Sequence, residues 1–213
     1  PPLPQLFAGK RGQPAHLHYD GDGRHGFLYQ VFGRKRVLLF PAERAAKLLP
    51  FGVYSGWFVD RMSDAERAEL LAFAGGAEVV LEPGEALLIP AFAYHSVEYL
   101  DDAMSVSVDF GRNRWVRLLV DGFPHTSHLP VVGAKLLDPE RLEREHPGFL
   151  AELERAARAS PADPRERRRA LEGLAAALLG SAAAARSPLE EMLLAVEQAG
   201  FRRGAARGAR RPA

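Results

Sequence analysis

Between residues 6 and 110 the apolar positions fall in short runs rich in Val, Leu, Phe and Tyr, punctuated by Gly and Pro. This texture predicts a many-stranded β unit. Strands are expected over 15–19, 27–32, 36–40, 77–81, 86–89, 95–100 and 104–110. One insertion interrupts them: Ser63 followed by Glu66 three residues on forms a capping box, opening a short helix to about Phe73 that Gly75 and Gly76 end. From Asp138 onward the period becomes helical, with Pro147 splitting an early stretch in two. Leu171, Leu174, Ala175, Leu178 and Leu179 line one face, begun by Asp163-Pro164-Arg165-Glu166 and stopped at Gly180. Ser187-Pro188-Leu189-Glu190 opens a last helix, with Leu189, Met192, Leu193 and Val196 on one side before Gly200. The pattern divides the chain into a β unit over 1–135, a helical extension over 136–200 and a tail over 201–213. Amphipathic helices must bury their apolar faces, so the extension is expected to pack on the β unit or to form a homodimer with a second copy.

Composition narrows the chemistry. The chain has 213 residues, 47% hydrophobic and 26% charged, the balance of a folded globular protein. It contains no cysteine, which excludes disulfides, thiol nucleophiles and thiolate metal sites, so any metal must sit on His and carboxylate. The net charge of +1 conceals five arginines in residues 201–213, leaving residues 1–200 at −4. A nucleic-acid partner is therefore not expected for the body, and the tail reads as a solvated basic run. The weakly apolar run 173–185 is shorter than the ~20 residues of a spanning helix, and residues 1–5 lack the pattern of a secretory signal. A membrane role is not expected, and the cytoplasm is the expected location.

The informative stretch is His16-Leu17-His18-Tyr19-Asp20. Strand residues two apart share a face, so His18 and Asp20 can hold one metal while Tyr19 points away. His95, opening a strand just after Pro90-Ala91-Phe92-Ala93-Tyr94, is the candidate third ligand. Two imidazoles and one carboxylate on one face leave positions open for a bidentate cosubstrate and O₂, the arrangement of non-haem Fe(II) oxygenases. Period-2 alternation also sets His16 on the face of His18, where it is read as a hydrogen-bonded structural histidine rather than a ligand. His25 sits in a Gly-rich turn and reads as exposed, and His125 and His128 read as loop residues.

The segment 9–20, continued by Phe27-Leu28-Tyr29-Gln30-Val31-Phe32-Gly33-Arg34-Lys35-Arg36-Val37-Leu38-Leu39-Phe40-Pro41, resembles the JmjC (cupin-8-like) Fe(II)/2-oxoglutarate oxygenases. The later segments 82–90, 94–102 and 105–110, in which an aromatic precedes His95, are similar to that family's closing strands. The resemblance implies a double-stranded β-helix (jelly-roll, cupin barrel) with a C-terminal helical extension. It further implies iron held by His18, Asp20 and His95, with Lys35 pairing with the far carboxylate of 2-oxoglutarate. Arg34 and Arg36 should point to the opposite face. Tyr29, Ser107 and Asp109 are further candidates for the cosubstrate pocket.

The chain also departs from the family. Ala15 stands where relatives often carry a hydroxyl, the usual Asn falls on or near Gly26, and Asp109 stands where some relatives place Asn. A carboxylate at 109, sharing a face with Ser105 and Ser107, would repel an anionic cosubstrate unless paired or protonated. The expected function is hydroxylation of an amino-acid side chain in a protein or peptide, with 2-oxoglutarate decarboxylated to succinate and CO₂. The alternatives are a metal-retaining, non-catalytic scaffold and a cupin dioxygenase that needs no 2-oxoglutarate.

Overall fold

The computed structural model describes residues 4–123, 128–159, 164–180 and 192. Ten strands come first: β1 (Gln5–Gly9), β2 (Pro14–His18), β3 (His25–Phe32), β4 (Lys35–Phe40), β5 (Pro50–Phe51) and β6 (Tyr54–Ser55), then, after helix α1 (Asp64–Ala74), β7 (Ala77–Leu81), β8 (Ala86–Ile89), β9 (Tyr94–Tyr99) and β10 (Ala103–Phe110). They form two antiparallel sheets, one ordered β1-β10-β3-β8 and the other β5-β6-β2-β9-β4-β7, the two walls of the expected double-stranded barrel. Each predicted strand is present within one or two residues. The two-residue strands β5 and β6 went unpredicted because so few residues carry no measurable period, and β1, exposed along most of its length, shows no buried–exposed alternation. Helix α1 starts at Ser63 as predicted, with the Ser63 side chain accepting from the Glu66 amide and Glu66 returning to the Ser63 amide.

The helical region begins earlier than its periodicity announces. Helices α2 (Arg114–Gly122) and α3 (Leu129–Lys135) precede α4 (Pro139–Glu145), α5 (Phe149–Arg158) and α6 (Pro164–Leu179). A boundary at residue 135 thus assigns two helices to the β unit. Both are short, and the Pro130 and Gly133 in α3 masked its period; Asn113 caps α2 by accepting the Val116 amide.

Strand alternation sorts the barrel's two cores. Along β4, Lys35 and Val37 face inward, and Val37 meets Leu28 and Leu81 in a small apolar plug between the sheets. Leu38 and Phe40 face the other way and join Leu17, Tyr19 and Tyr94 under the helices, where they pack with Val116, Leu119, Val132, Leu153, Leu171 and Leu174. The helices cover the outer face of the six-stranded sheet and share one continuous core with it. Leu171, Leu174 and Ala175 are consumed there, so their face is satisfied within the chain. The predicted face Leu189–Leu193–Val196 and the tail 201–213 lie outside the described residues.

A candidate metal centre

The register of β2 against β9 creates the site. Ala15 pairs with Val97, but His18 pairs with His95, so β2 spends three residues where β9 spends two. This bulge reverses the alternation between Ala15 and His18. Without it Leu17 would stand opposite His95 and His18 would turn toward the helices. With it, His18 and His95 are a directly opposed pair with ring centroids 4.5 Å apart, and Ala15, His18, His95 and Val97 line one cavity.

Asp20, two residues beyond the end of β2, completes the group. Its Oδ1 lies 3.8 Å from His18 Nε2 and its Oδ2 3.9 Å from His95 Nε2. Both separations exceed a hydrogen bond. Among the described residues, these three side chains are the one set of His and carboxylate groups that could hold a metal ion, with ligand atoms within 4.8 Å of one another. The other ring nitrogens are tied back to the main chain: His18 Nδ1 donates to the His16 carbonyl at 2.7 Å and His95 Nδ1 to the Ala93 carbonyl at 3.2 Å. A carbonyl only accepts, so each Nδ1 carries a proton and Nε2 is the ring atom turned toward Asp20. This carbonyl–imidazole support is what metal-binding histidines use to fix tautomer and ring orientation. Burial lowers the His95 pKa from the ordinary histidine value, against the opposing charge of Asp20, which keeps the imidazole neutral as a ligand must be. The donor set therefore fits a divalent transition ion such as Fe(II).

His16, next to the inward Ala15, points out of the cavity, and the bulge admits His18 without it. Its Nε2 meets the Ser55 carbonyl at 2.9 Å, and its ring packs 5.0 Å from Phe58. The expectation that His16 shares the face of His18 is thus corrected, while its reading as a hydrogen-bonded structural histidine stands. His25, expected to be exposed, is half-buried at the start of β3, where its Nδ1 accepts the Ala91 amide at 3.1 Å. His128 is buried at the entrance to α3, and His125 lies outside the described residues.

Lys35 reaches the cavity from β4. Only 1% exposed, its Nζ donates to Ser105 Oγ at 2.5 Å and to the Phe7 carbonyl at 3.4 Å, and stands 4.3 Å from the centre of the Tyr99 ring. Among the described residues no carboxylate is paired with it, and burial pushes its pKa down to about 8. Arg34 and Arg36 point away as alternation requires, pairing with Asp101 and with Glu78 and Glu98. The cavity, about 430 Å³, is also lined by Phe7, Leu28, Ser107 and Asp109. Tyr29 is not among its walls. One residue out of phase with Leu28, it lies on the outward face of β3 and is 45% exposed, which corrects its candidacy as a cosubstrate contact.

Asp109 does face the cavity, opposite Gly26 in the β10–β3 ladder. Gln5 Nε2 donates to its Oδ2 at 2.9 Å. Burial pushes the Asp109 carboxyl up, and the charges of Asp22 and Asp20 add to the effect while Arg24 and a Ser107 hydrogen bond oppose it. Gln5, Phe7 and Tyr99 were not singled out from sequence. Gln5 and Phe7 belong to the short β1, and Tyr99 becomes relevant only through its pairing opposite Lys35.

The turn before His95 is strained. Ala93 N–H closes on the Pro90 carbonyl at 3.0 Å, and Phe92, at the third position of this turn, has φ 65°, a value glycine usually supplies. Such a residue costs about 1–3 kcal/mol and persists only where packing over-determines it. Phe92 is fully buried against Tyr19, and a Cβ at Gly23 or Gly133 would collide with its ring.

Two imidazoles and a carboxylate placed to accept a metal ion inside a double-sheet barrel, with a buried lysine in the same cavity, define a cupin with a candidate metal centre. The model of the cupin-like domain matches residues 1–113, and the chain belongs to this JmjC cupin-like family. It is 32% identical over 105 residues to JmjC domain-containing protein D of Dictyostelium discoideum, covering 47% of this chain and 23% of that protein. Against Lysine-specific demethylase JMJ31 of Arabidopsis thaliana it is 33% identical over 101 residues, 44% of this chain and 18% of the relative. Against Lysine-specific demethylase 8 of Xenopus tropicalis it is 32% identical over 103 residues, 46% and 23%. The chain thus spans about a quarter or less of the length of these relatives. The solved structure of KdgF from Halomonas sp. aligns with 53% of this chain and 71% of its own, at 16% identity and a TM-score of 0.33. No helix among the described residues is long and apolar enough to cross a membrane.

Proposed function

We propose that the chain acts as an Fe(II)/2-oxoglutarate-dependent oxygenase that hydroxylates an amino-acid side chain of a protein or peptide. The observation that carries this reading is the convergence of His18, Asp20, His95 and the unpaired, buried Lys35 on one cavity. Iron with 2-oxoglutarate and O₂ supplies the oxidising power: one oxygen atom enters a substrate C–H bond, the other enters succinate, and CO₂ leaves.

The protein's own residues have separable roles. His18, Asp20 and His95 would hold the ion, which would supply the site for cosubstrate and O₂. Lys35 pairs with the far carboxylate of the keto acid, and Ser105 and Tyr99 hold its Nζ in position. Phe7, Leu28, Ile89 and Val97 exclude water from the cavity. Asp20 and Asp22 are half-exposed while Lys35 and His95, which line the same cavity, are buried, so the two aspartates mark the open side through which a substrate side chain enters.

Two of the relatives carry the name demethylase, and removal of an N-methyl group begins with the same C–H hydroxylation. Release of formaldehyde distinguishes it from stable hydroxylation. The test of the whole reading is anaerobic addition of Fe(II) and 2-oxoglutarate, which should give a visible charge-transfer band, followed by O₂-dependent formation of succinate. A protein that binds iron and ignores the keto acid would instead be a metal-retaining scaffold or a dioxygenase of another kind. Ala15 and the Asp109 carboxylate facing the cavity are the features that favour that second reading.

A further inference from the structure

We propose that His25 is a positioning residue for the metal ligand His95, acting through the Pro90–Ala93 turn. The inference rests on the metal-centre reading above.

The argument begins with a buried amide. In a turn closed from residue 93 back to residue 90, the N–H of the second residue has no partner inside the turn. Here that residue is Ala91, only 2% exposed, and an unsatisfied buried amide is costly. His25 Nδ1 supplies the acceptor at 3.1 Å, reaching from the first residue of β3 across 66 positions of chain. Because Nδ1 accepts, the ring must be neutral with its proton on Nε2.

The ring is itself held. It lies against Phe110 with centroids 5.6 Å apart and against the backbone of Gly111, which has φ 78°. A Cβ at Gly111 would come within 2.8 Å of His25 Cδ2. Glycine is needed there both for the dihedral and for the approach of the ring.

The consequence reaches the metal centre in two residues. The turn held by His25 includes the left-handed Phe92, and the residue after it, Ala93, provides the carbonyl that receives the His95 Nδ1 proton. That carbonyl sets the direction in which His95 presents Nε2 to Asp20. Removing the acceptor at residue 25 frees the Ala91 amide at a turn already strained at Phe92. The Ala93 carbonyl can then swing away from His95.

The test uses Co(II) as the probe, added to the metal-free chain without cosubstrate and followed by its visible spectrum. His25→Phe keeps a ring against Phe110 and Gly111 but has no acceptor. His25→Asn keeps an acceptor oxygen near the place of Nδ1. Loss of support behind a metal ligand typically costs about 10–100-fold in affinity, so His25→Phe should bind Co(II) at least about tenfold more weakly, with His25→Asn recovering most of the loss. Equal binding by His25→Phe and the unchanged chain would overturn the proposal, as would equal losses in both variants, which would make the ring a packing element only. The metal-free chains provide a second arm: nitrogen chemical shifts of His95 should report the Nδ1–H tautomer in the unchanged chain and in His25→Asn, and a tautomer mixture in His25→Phe. A uniform Nδ1–H form in all three would also overturn the inference. If the unchanged chain took up no Co(II), the metal-centre reading would fall by itself, while the tautomer arm would still decide the role of His25.

Discussion

His18 stands directly opposite His95 across the β2–β9 ladder because β2 carries one extra residue between Ala15 and His18. That single extra residue selects which of two neighbouring histidines belongs to the candidate metal centre. His18→Ala and Asp20→Ala should each lose bound iron and abolish succinate formation, since a three-donor site has no spare ligand. His16→Ala should keep both, losing only its contact with the Ser55 carbonyl. Metal analysis beside a succinate assay checks the contrast, and loss of iron in His16→Ala with retention in His18→Ala would invalidate the register.

Lys35→Ala should weaken 2-oxoglutarate binding while metal content stays near that of the unchanged chain. The far carboxylate loses a charged hydrogen-bond partner worth about 1.5–3 kcal/mol, roughly ten- to a hundredfold in affinity. Calorimetric titration of the metal-loaded protein measures it. An unaltered affinity would move the anchoring role elsewhere in the cavity.

The pH dependence follows from the burial of Lys35. With its pKa at about 8, the free protein loses the Lys35 charge as pH rises through that value. A carboxylate that binds the charged form must then restore the proton. Affinity for the keto acid should fall by up to about tenfold per pH unit above pH about 8, with proton uptake on binding. In Lys35→Ala this fall should vanish; if it persisted, another group would be titrating.

Asp109→Asn should tighten 2-oxoglutarate binding. The carboxylate faces the cavity, and Gln5 pairs with it without neutralising it. Because burial and the nearby Asp22 and Asp20 raise its pKa, its penalty is greatest at neutral and alkaline pH and fades on acidification as the carboxyl takes up a proton. The gain in Asp109→Asn, read by the same titration, should therefore be larger at neutral than at acidic pH. A loss of affinity would instead make Asp109 a favourable contact.

Leu174→Glu should unfold the helical layer rather than merely separate protomers. Leu174 is 3% exposed, beside Leu171 and Ala175 in the core shared with the six-stranded sheet. An uncompensated carboxylate there costs several kcal/mol. Denaturant unfolding gives the stability and sedimentation the assembly state. A variant as stable as the unchanged chain would show that this face is not buried in solution.

Much of this was legible along the chain because it depends on local rules. The family resemblance put Lys35 inward, and a period of two then sent its neighbours Arg34 and Arg36 to the other face. The capping box at Ser63 and Glu66 needed only four residues. The candidate metal donors were also legible: the chain has no cysteine, His-Leu-His-Tyr-Asp offers His18 and Asp20, and the family resemblance adds His95.

What tertiary structure decided are the exceptions to those rules. A bulge is a property of two paired strands, so no pattern within β2 could announce that His16 turns to Ser55 while His18 turns inward. Tyr29 faces outward because the register of β3 gives the cavity to Leu28. Phe92 adopts a glycine-like dihedral because Tyr19, Gly23 and Gly133 enclose its ring, and His25 becomes an acceptor because folding brings the Ala91 amide to it. The amino-acid sequence by itself determined which chemical groups were available and, where alternation is unbroken, which face they share. Long-range pairing decided which of them meet, because one residue of register, costing little locally, exchanges the whole set of neighbours across a strand.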